Sequence, residues 1–177
     1  MPDTLPSLAT TYLAASDADE RRRAFSALTS AMKTRIREEQ FGDAAAGLRA
    51  AIHPAIDFTS AQSLCRIRKS VQTDRADRSP VRLAILGNLT LDQLTPLVEL
   101  FLFAAGVEVE LYTAPYGTLR QEILDDESSL YRFRPQITFL ATSWRDLGHV
   151  PTANDDRARV NDRVQSELAD WSALWRR

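Results

Sequence analysis

The chain has 177 residues, of which 44% are hydrophobic and 26% charged, and its formal net charge is −2. That is enough for one domain with a real core plus an appendage, and short for two full domains. The near-neutral balance excludes a global attraction to nucleic acid or to an anionic membrane, and a single cysteine, Cys65, excludes an intrachain disulfide and a cysteine-based metal site.

The N-terminal stretch MPDTLPSLATTYLAASDADERRR has no basic region followed by a long apolar one, so it does not read as a signal peptide. The longest apolar run, LVELFLFAAGV, contains Glu99 and is too short to span a bilayer. A cytoplasmic protein is the expectation. Before Pro80 the chain offers helices and no strand. Asp19 to Phe41 places Ala24, Phe25, Leu28, Met32, Ile36 and Phe41 at helical spacing, with Arg and Glu between them. Gly42-Asp43 is expected to break that helix. DAAAGLRAAI reads as a second helix that stops before Pro54, and Thr59 to Val71 as a third. The segment QTDRADRSP is polar and without periodicity, the pattern of a linker or exposed loop.

After Pro80 the pattern alternates. VRLAILG is a short strand, and LTPLVELFLFAAG a helix closed by Gly106. That helix is apolar almost all round, as expected of one covered on both sides, with the N-terminal helices as the second cover. VEVELY alternates like a strand with one polar face. YGTLRQEILDDESSLYRF is helical at least to Asp126, and PQITFLATS is a third strand. Asp155 to Trp175 puts Val160, Val164, Leu168, Trp171 and either Leu174 or Trp175 on one stripe. Strand–helix–strand–helix–strand–helix predicts a parallel sheet with right-handed crossovers. The expected division is residues 1–79 as a helical extension and linker packed on the core, and 80–177 as an α/β domain.

The block RLAILGNLTLDQL, VEVELYTAPYGTLRQEILDDESSLYRFRP and QITFLATSWRDL resembles the N-terminal domain of FkbH-like proteins. The likeness covers roughly residues 55–175 and is carried by a strand ending in GNLT, by APYGTLRQEILD, by SSLYRFRP, and by a third strand ending near RDL. The resemblance implies a three-layer parallel-sheet fold, SGNH-like and flavodoxin-like. It also implies a place beside a HAD-type domain that moves a phosphoglycerate-derived glyceryl unit onto an acyl carrier protein for polyketide extender units. The HAD signature, DxDxT, is not in this sequence. The phosphoryl chemistry implied by the family therefore lies outside this chain, which reads as a fragment of a larger protein or as a separate N-terminal-type protein.

An SGNH hydrolase would carry Gly-Asp-Ser at the first strand's end. Here Asn88 stands at the Asp position and Leu89 at the Ser position, so the nucleophile has no counterpart. Thr90 with Gln93 fits a capping box for the following helix, and Pro96 fits equally a helix whose first turn starts at Thr95. Thr118 with Gln121 is a second box, and Gly117 before it permits an unusual backbone angle. Ligands of open parallel sheets sit beyond the carboxyl ends of the strands. That makes Gly87, Asn88, Tyr116, Gln121, Arg145 and Asp146 the ligand-binding candidates, with Arg120 able to reach the same crevice. Arg145 takes the position of the SGNH oxyanion asparagine, and Asp146-x-x-His149 matches the SGNH dyad in spacing but not in place. A rewired hydrolase would draw on Thr90, Ser143 or His149. His53 reads as a helix-end residue, Asp125, Asp126 and Glu127 as a solvated acidic turn, and Tyr131 and Phe133 as packing for the turn before the third strand.

The basic groups Arg21–Arg23 and Arg66–Lys69 read as solvated helix faces, and alternatively as a dock for an acidic partner, with Arg66, Arg68 and Lys69 the candidates. Neither a metal nor a cofactor is expected in this chain. The expected role is a non-catalytic accessory domain that docks an acyl carrier protein or a HAD-type domain and binds neither nucleic acid nor membrane. The alternatives are a divergent SGNH-type esterase or acyltransferase, and a self-associating scaffold.

Overall fold

A computed structural model describes residues 4–72 and 79–177. Most of the expected linker, residues 73–78, falls outside the described residues. Among these, the chain forms eight α-helices and three strands in a mixed α/β arrangement. No helix among them is long and apolar enough to cross a membrane. Two compact units emerge, the first from residues 1–80 and 93–109, the second from 81–92 and 110–177. A single cut at Pro80 does not describe this division, because the helix after the first strand packs in the first unit.

The first unit is helical. α1 (Leu5–Ala14) starts with a proline in its first turn, where the missing N–H costs nothing, and buries Leu5, Ala9 and Tyr12. α2 (Ala18–Arg37) is capped by Asp17, which accepts from Glu20 N–H at 2.7 Å, and buries Leu28 and Met32. It ends at Arg37, four residues before the Phe41 that Gly42-Asp43 suggested. Glu39 takes a left-handed φ of 59°, and the Glu39 and Gln40 N–H groups close on the Ile36 and Arg35 carbonyls. This is a Schellman stop made without glycine. Gly42-Asp43 instead lies in the first turn of α3 (Phe41–Ala51). α4 (Phe58–Ser70) is capped by Asp57 and buries Ala61, Leu64, Cys65 and Ile67. α5 (Leu94–Ala104) adds Leu100 and Phe103 to the same core, so its all-round apolar character is explained in part by the N-terminal helices, as expected. His53, just past α3, places Nε2 3.5 Å from the Tyr12 hydroxyl.

α5 begins at Leu94 with no side-chain cap, so the Thr90–Gln93 box does not form. A helix begun there would carry Pro96 in its interior, against a carbonyl four residues back. A start at Leu94 keeps the proline in the first turn. Gly106, at φ 79°, closes the helix as its sequence predicts.

The second unit holds a three-stranded parallel sheet in the order β2-β1-β3, from β1 (Val81–Gly87), β2 (Val109–Thr113) and β3 (Ile137–Ala141). β1 is central and pairs in parallel with β3, Leu83 opposite Ile137 through Gly87 opposite Ala141. α6 (Leu119–Leu124), α7 (Ser129–Phe133) and α8 (Arg157–Trp175) supply Leu119, Ile123, Leu130 and Leu174 to a core with Ala84 and Leu86 of β1. The helix expected to reach Asp126 stops at Leu124. Asp125 accepts from Glu127 N–H in a turn, and buried Glu122 reaches forward to the N–H of Leu130 at 2.8 Å, starting α7 afresh. Tyr131 donates to the Ile123 carbonyl and Phe133 lies 5.5 Å from the Tyr112 ring, so both pack the approach to β3. The stripe expected on α8 is split. Leu174 and Trp171 face this core, whereas Val164, Leu168 and Trp175 are exposed.

Candidate functional site

β1 is flanked on opposite sides by β2 and β3, so the chain's switch point lies beyond the carboxyl ends of β1 and β3, where such sheets hold ligands. β1 leaves the sheet at Gly87. A Cβ there would stand 2.6 Å from the Ala141 carbonyl oxygen, so glycine is required by the close approach of β1 to β3. Asn88 follows, half-buried, and its amide donates to Asp146 Oδ1 at 2.7 Å. Asp146 closes a 3₁₀ turn (Trp144–Asp146). Its other oxygen accepts from Ser143 N–H, while Ser143 Oγ accepts from Arg145 N–H at 3.3 Å. Burial alone would raise the Asp146 carboxyl. The Ser143 N–H, the Asn88 amide, the Ser143 hydroxyl and the Arg120 charge outweigh it and hold the group below its ordinary value. The cluster is thus an anion satisfied by its own neighbours. Asn88 Oδ1 is buried and unpartnered among the described residues, an acceptor left open in this cluster.

A second knot lies along the chain after that turn. Glu167 of α8 is 9% exposed and sits just under the surface. Its Oε2 accepts from the Gly148 and His149 N–H groups at 2.9 and 2.7 Å, and its Oε1 accepts from the Trp171 indole at 2.7 Å. Burial pushes this carboxyl up, but the His149, Trp171 and Gly148 hydrogen bonds hold it below its ordinary value. His149 Nε2 lies 3.3 Å from Asp170 Oδ2, and Arg120 approaches the same carboxylate at 3.9 Å. Sequence reasoning passed over Glu167. The signal was there, because Glu167 lies four residues before Trp171 and seven before Leu174, and a carboxylate at an inward helical position needs partners.

The structure brings Gly87, Asn88, Asp146 and Ser143 together. Tyr116 does not join them. It is 75% exposed at the tip of a turn in which the Thr118 N–H reaches the Pro115 carbonyl and Gly117 has φ 80°, the type II pattern that asks for glycine. Thr118 precedes α6 at the cap position, but its hydroxyl donates to the Pro115 carbonyl at 2.8 Å, so the Thr118–Gln121 box is not made and Gln121 is exposed. Arg145 is exposed beside the Trp144 ring, at 5.4 Å from its centroid. Leu89 and Thr90 are exposed. Ser143 and Asp146 are bonded to each other, whereas the His149 ring pairs with Asp170, so Ser143, His149 and Asp146 do not form a triad. No group of three His, Cys, Asp or Glu that could hold a metal occurs among the described residues. Asp126 pairs with Arg177 in the open.

Of the three basic docking candidates, Arg68 is turned inward. It pairs with Glu108 at 2.7 Å, its side chain is only 12% exposed, and its guanidinium lies 4.3 Å from the Phe103 ring centroid. Arg68 is therefore structural, and only Arg66 and Lys69 face outward. Arg68→Ala is expected to destabilise the first unit by about 2 kcal/mol, because it strands Glu108, whose partial exposure keeps the loss below that of a fully buried pair. Urea unfolding of Arg68→Ala beside Lys69→Ala, which should change little, checks this. Comparisons with protein-family models, with curated proteins and with solved structures found no match to this chain.

Proposed function

We propose that this chain is a non-catalytic, partner-binding domain of an FkbH-like system, one that positions an acyl carrier protein while a HAD-type domain supplies a glyceryl unit from a phosphoglycerate. The observation that carries this reading is the strand-end turn. The residue at the SGNH nucleophile position is Leu89, and the polar groups around it, Asn88, Ser143 and Asp146, are hydrogen-bonded to one another. A turn built this way has the place of a catalytic elbow and lacks its attacking atom. The YGTLRQEIL and SSLYRF strings support the family, and the order β2-β1-β3 suits the opening of an SGNH-like or flavodoxin-like sheet. A cytoplasmic location goes with a carrier-protein pathway.

One observation favours a second reading. His149 and Asp170 are in contact, and a histidine–carboxylate pair is two-thirds of a hydrolase triad. A fluorophosphonate probe separates the readings. No labelling of the full chain is expected, together with retention of the protein on immobilised acyl carrier protein. Labelling that disappears in Ser143→Ala or Thr90→Ala would overturn the proposal in favour of an esterase or acyltransferase.

A further inference from the structure

Between α2 and α4 of the first unit runs an open groove of about 460 Å³. α2 contributes Phe25, Lys33, Ile36 and Arg37 at helical spacing, and α4 contributes Arg66 and Ile67. Phe25, Ile36 and Ile67 form an apolar floor, and the three cations form its rim. The hydroxyls of Thr29 and Ser63, also in the groove, donate to the Ser26 and Thr59 carbonyls of their own helices, so apart from Ser70 at the end of α4 the polar character on offer is cationic. Elsewhere in this unit Arg22, Arg35 and Arg68 each have a carboxylate within 4.0 Å. Among the described residues Lys33, Arg37 and Arg66 have none.

We propose that this groove binds an amphipathic helix of a partner protein, its apolar stripe on Phe25, Ile36 and Ile67 and its flanking Asp or Glu side chains on Lys33, Arg37 and Arg66. The inference rests on the proposed function for the partner's identity and on the groove for its chemistry. Two packed helices leave a channel that a third helix fills by the same ridge-and-groove geometry. A cationic rim over an apolar floor selects an acidic helix and rejects a basic one. An inorganic anion fits less well, because the Thr29 and Ser63 hydroxyls are committed to their own helices and an apolar floor offers it nothing. A nucleic acid would want exposed aromatic platforms for its bases, and Phe25, half-buried in the floor, is the only aromatic in the groove.

The test uses the full chain and a fluorescent, staple-stabilised peptide of about five helical turns, carrying a Leu/Ile stripe flanked by Glu, with a Lys-for-Glu twin as control. The Glu peptide should bind and the Lys twin should not. Lys33→Glu/Arg37→Glu/Arg66→Glu should weaken binding at least about tenfold, the Gln triple variant should fall between, and Arg22→Glu should change nothing. Equal binding by the charge-reversed protein, equal binding of both peptides, or retention of a single-stranded RNA oligonucleotide in place of the Glu peptide would overturn the groove. Circular dichroism confirms that each variant is folded. An acyl carrier protein arm separates this proposal from the functional one. Carrier binding that survives charge reversal removes the groove and leaves the function; Glu-peptide binding without carrier binding removes the partner's identity and leaves the groove.

Discussion

Glu167→Ala is expected to lower the unfolding free energy by about 3 kcal/mol, since it leaves three donors without their acceptor at once. Two of those donors, the Gly148 and His149 N–H groups, belong to the segment after the 3₁₀ turn, and the third is the indole of Trp171, which packs toward the second unit's core. Glu167→Gln should cost less. Its carbonyl can accept from the two backbone groups, but its amide then faces the Trp171 N–H, donor against donor. The effect is also pH-dependent, with a definite sign. The folded carboxyl titrates below its ordinary value of 4.5, so its contribution is whole above about pH 5 and is lost as pH falls through the depressed folded value. Asp146 is held down in the same direction and adds to the loss as pH falls. Urea unfolding at pH 7 and pH 3 should show the gap between wild type and Glu167→Gln closing as the solution is acidified. A gap that stays constant, or a loss in Glu167→Ala within the ~0.5 kcal/mol scatter of surface substitutions, would show that water satisfies these donors as well as Glu167 does.

What the sequence made legible follows from how local each determinant is. β1 could be read to the residue because a mostly apolar run, broken only by Arg82 and bounded by Pro80 and Gly87, has one exit. The stop at Gly106 could be read because only glycine takes φ 79° without cost. The stop of α2 could not, because Glu39 occupies the same left-handed region with an ordinary side chain, held there by the Arg35 and Ile36 carbonyls. Capping boxes failed for a related reason. Thr118 has the right spacing, yet its hydroxyl finds the Pro115 carbonyl first, because the type II turn brings that oxygen within 2.8 Å. Arg68 and Arg66 look equivalent in RIRK. Two positions along a helix is about 200°, so one falls under Phe103 and Glu108 while the other rims the groove. At the strand ends, the missing nucleophile was legible as Leu89, but the Asn88–Asp146 bond was not. It joins residues 58 apart in sequence, and only the parallel pairing of β1 with β3 brings them together.

Gly87→Ala is expected to cost about 3 kcal/mol, at the upper end for an added methyl. The new Cβ would stand 2.6 Å from the Ala141 carbonyl oxygen and 3.2 Å from the Ala141 Cβ. Both belong to the paired strand, where no flexible side chain can swing away. Relief requires β1 and β3 to part at their carboxyl ends, which also draws Asn88 away from Asp146 and opens a hydrogen bond that spans the switch point. Gly42→Ala is the matched control. Nothing lies within 4 Å of its added Cβ, and the position is in the first turn of α3, so the change should be neutral or gain up to about 0.5 kcal/mol of helix propensity. The pair distinguishes two reasons for a glycine at a strand end. If Gly87 were there to admit a ligand, alanine would leave the unfolding midpoint of the free protein unchanged and affect only binding. If it is there for strand approach, the midpoint falls with no ligand present, and Asn88→Ala partly loses its own effect in the Gly87→Ala background, because the bond it removes is already weakened. Additive losses from the two substitutions would mean that the strands do not part and that the clash is absorbed elsewhere in β1.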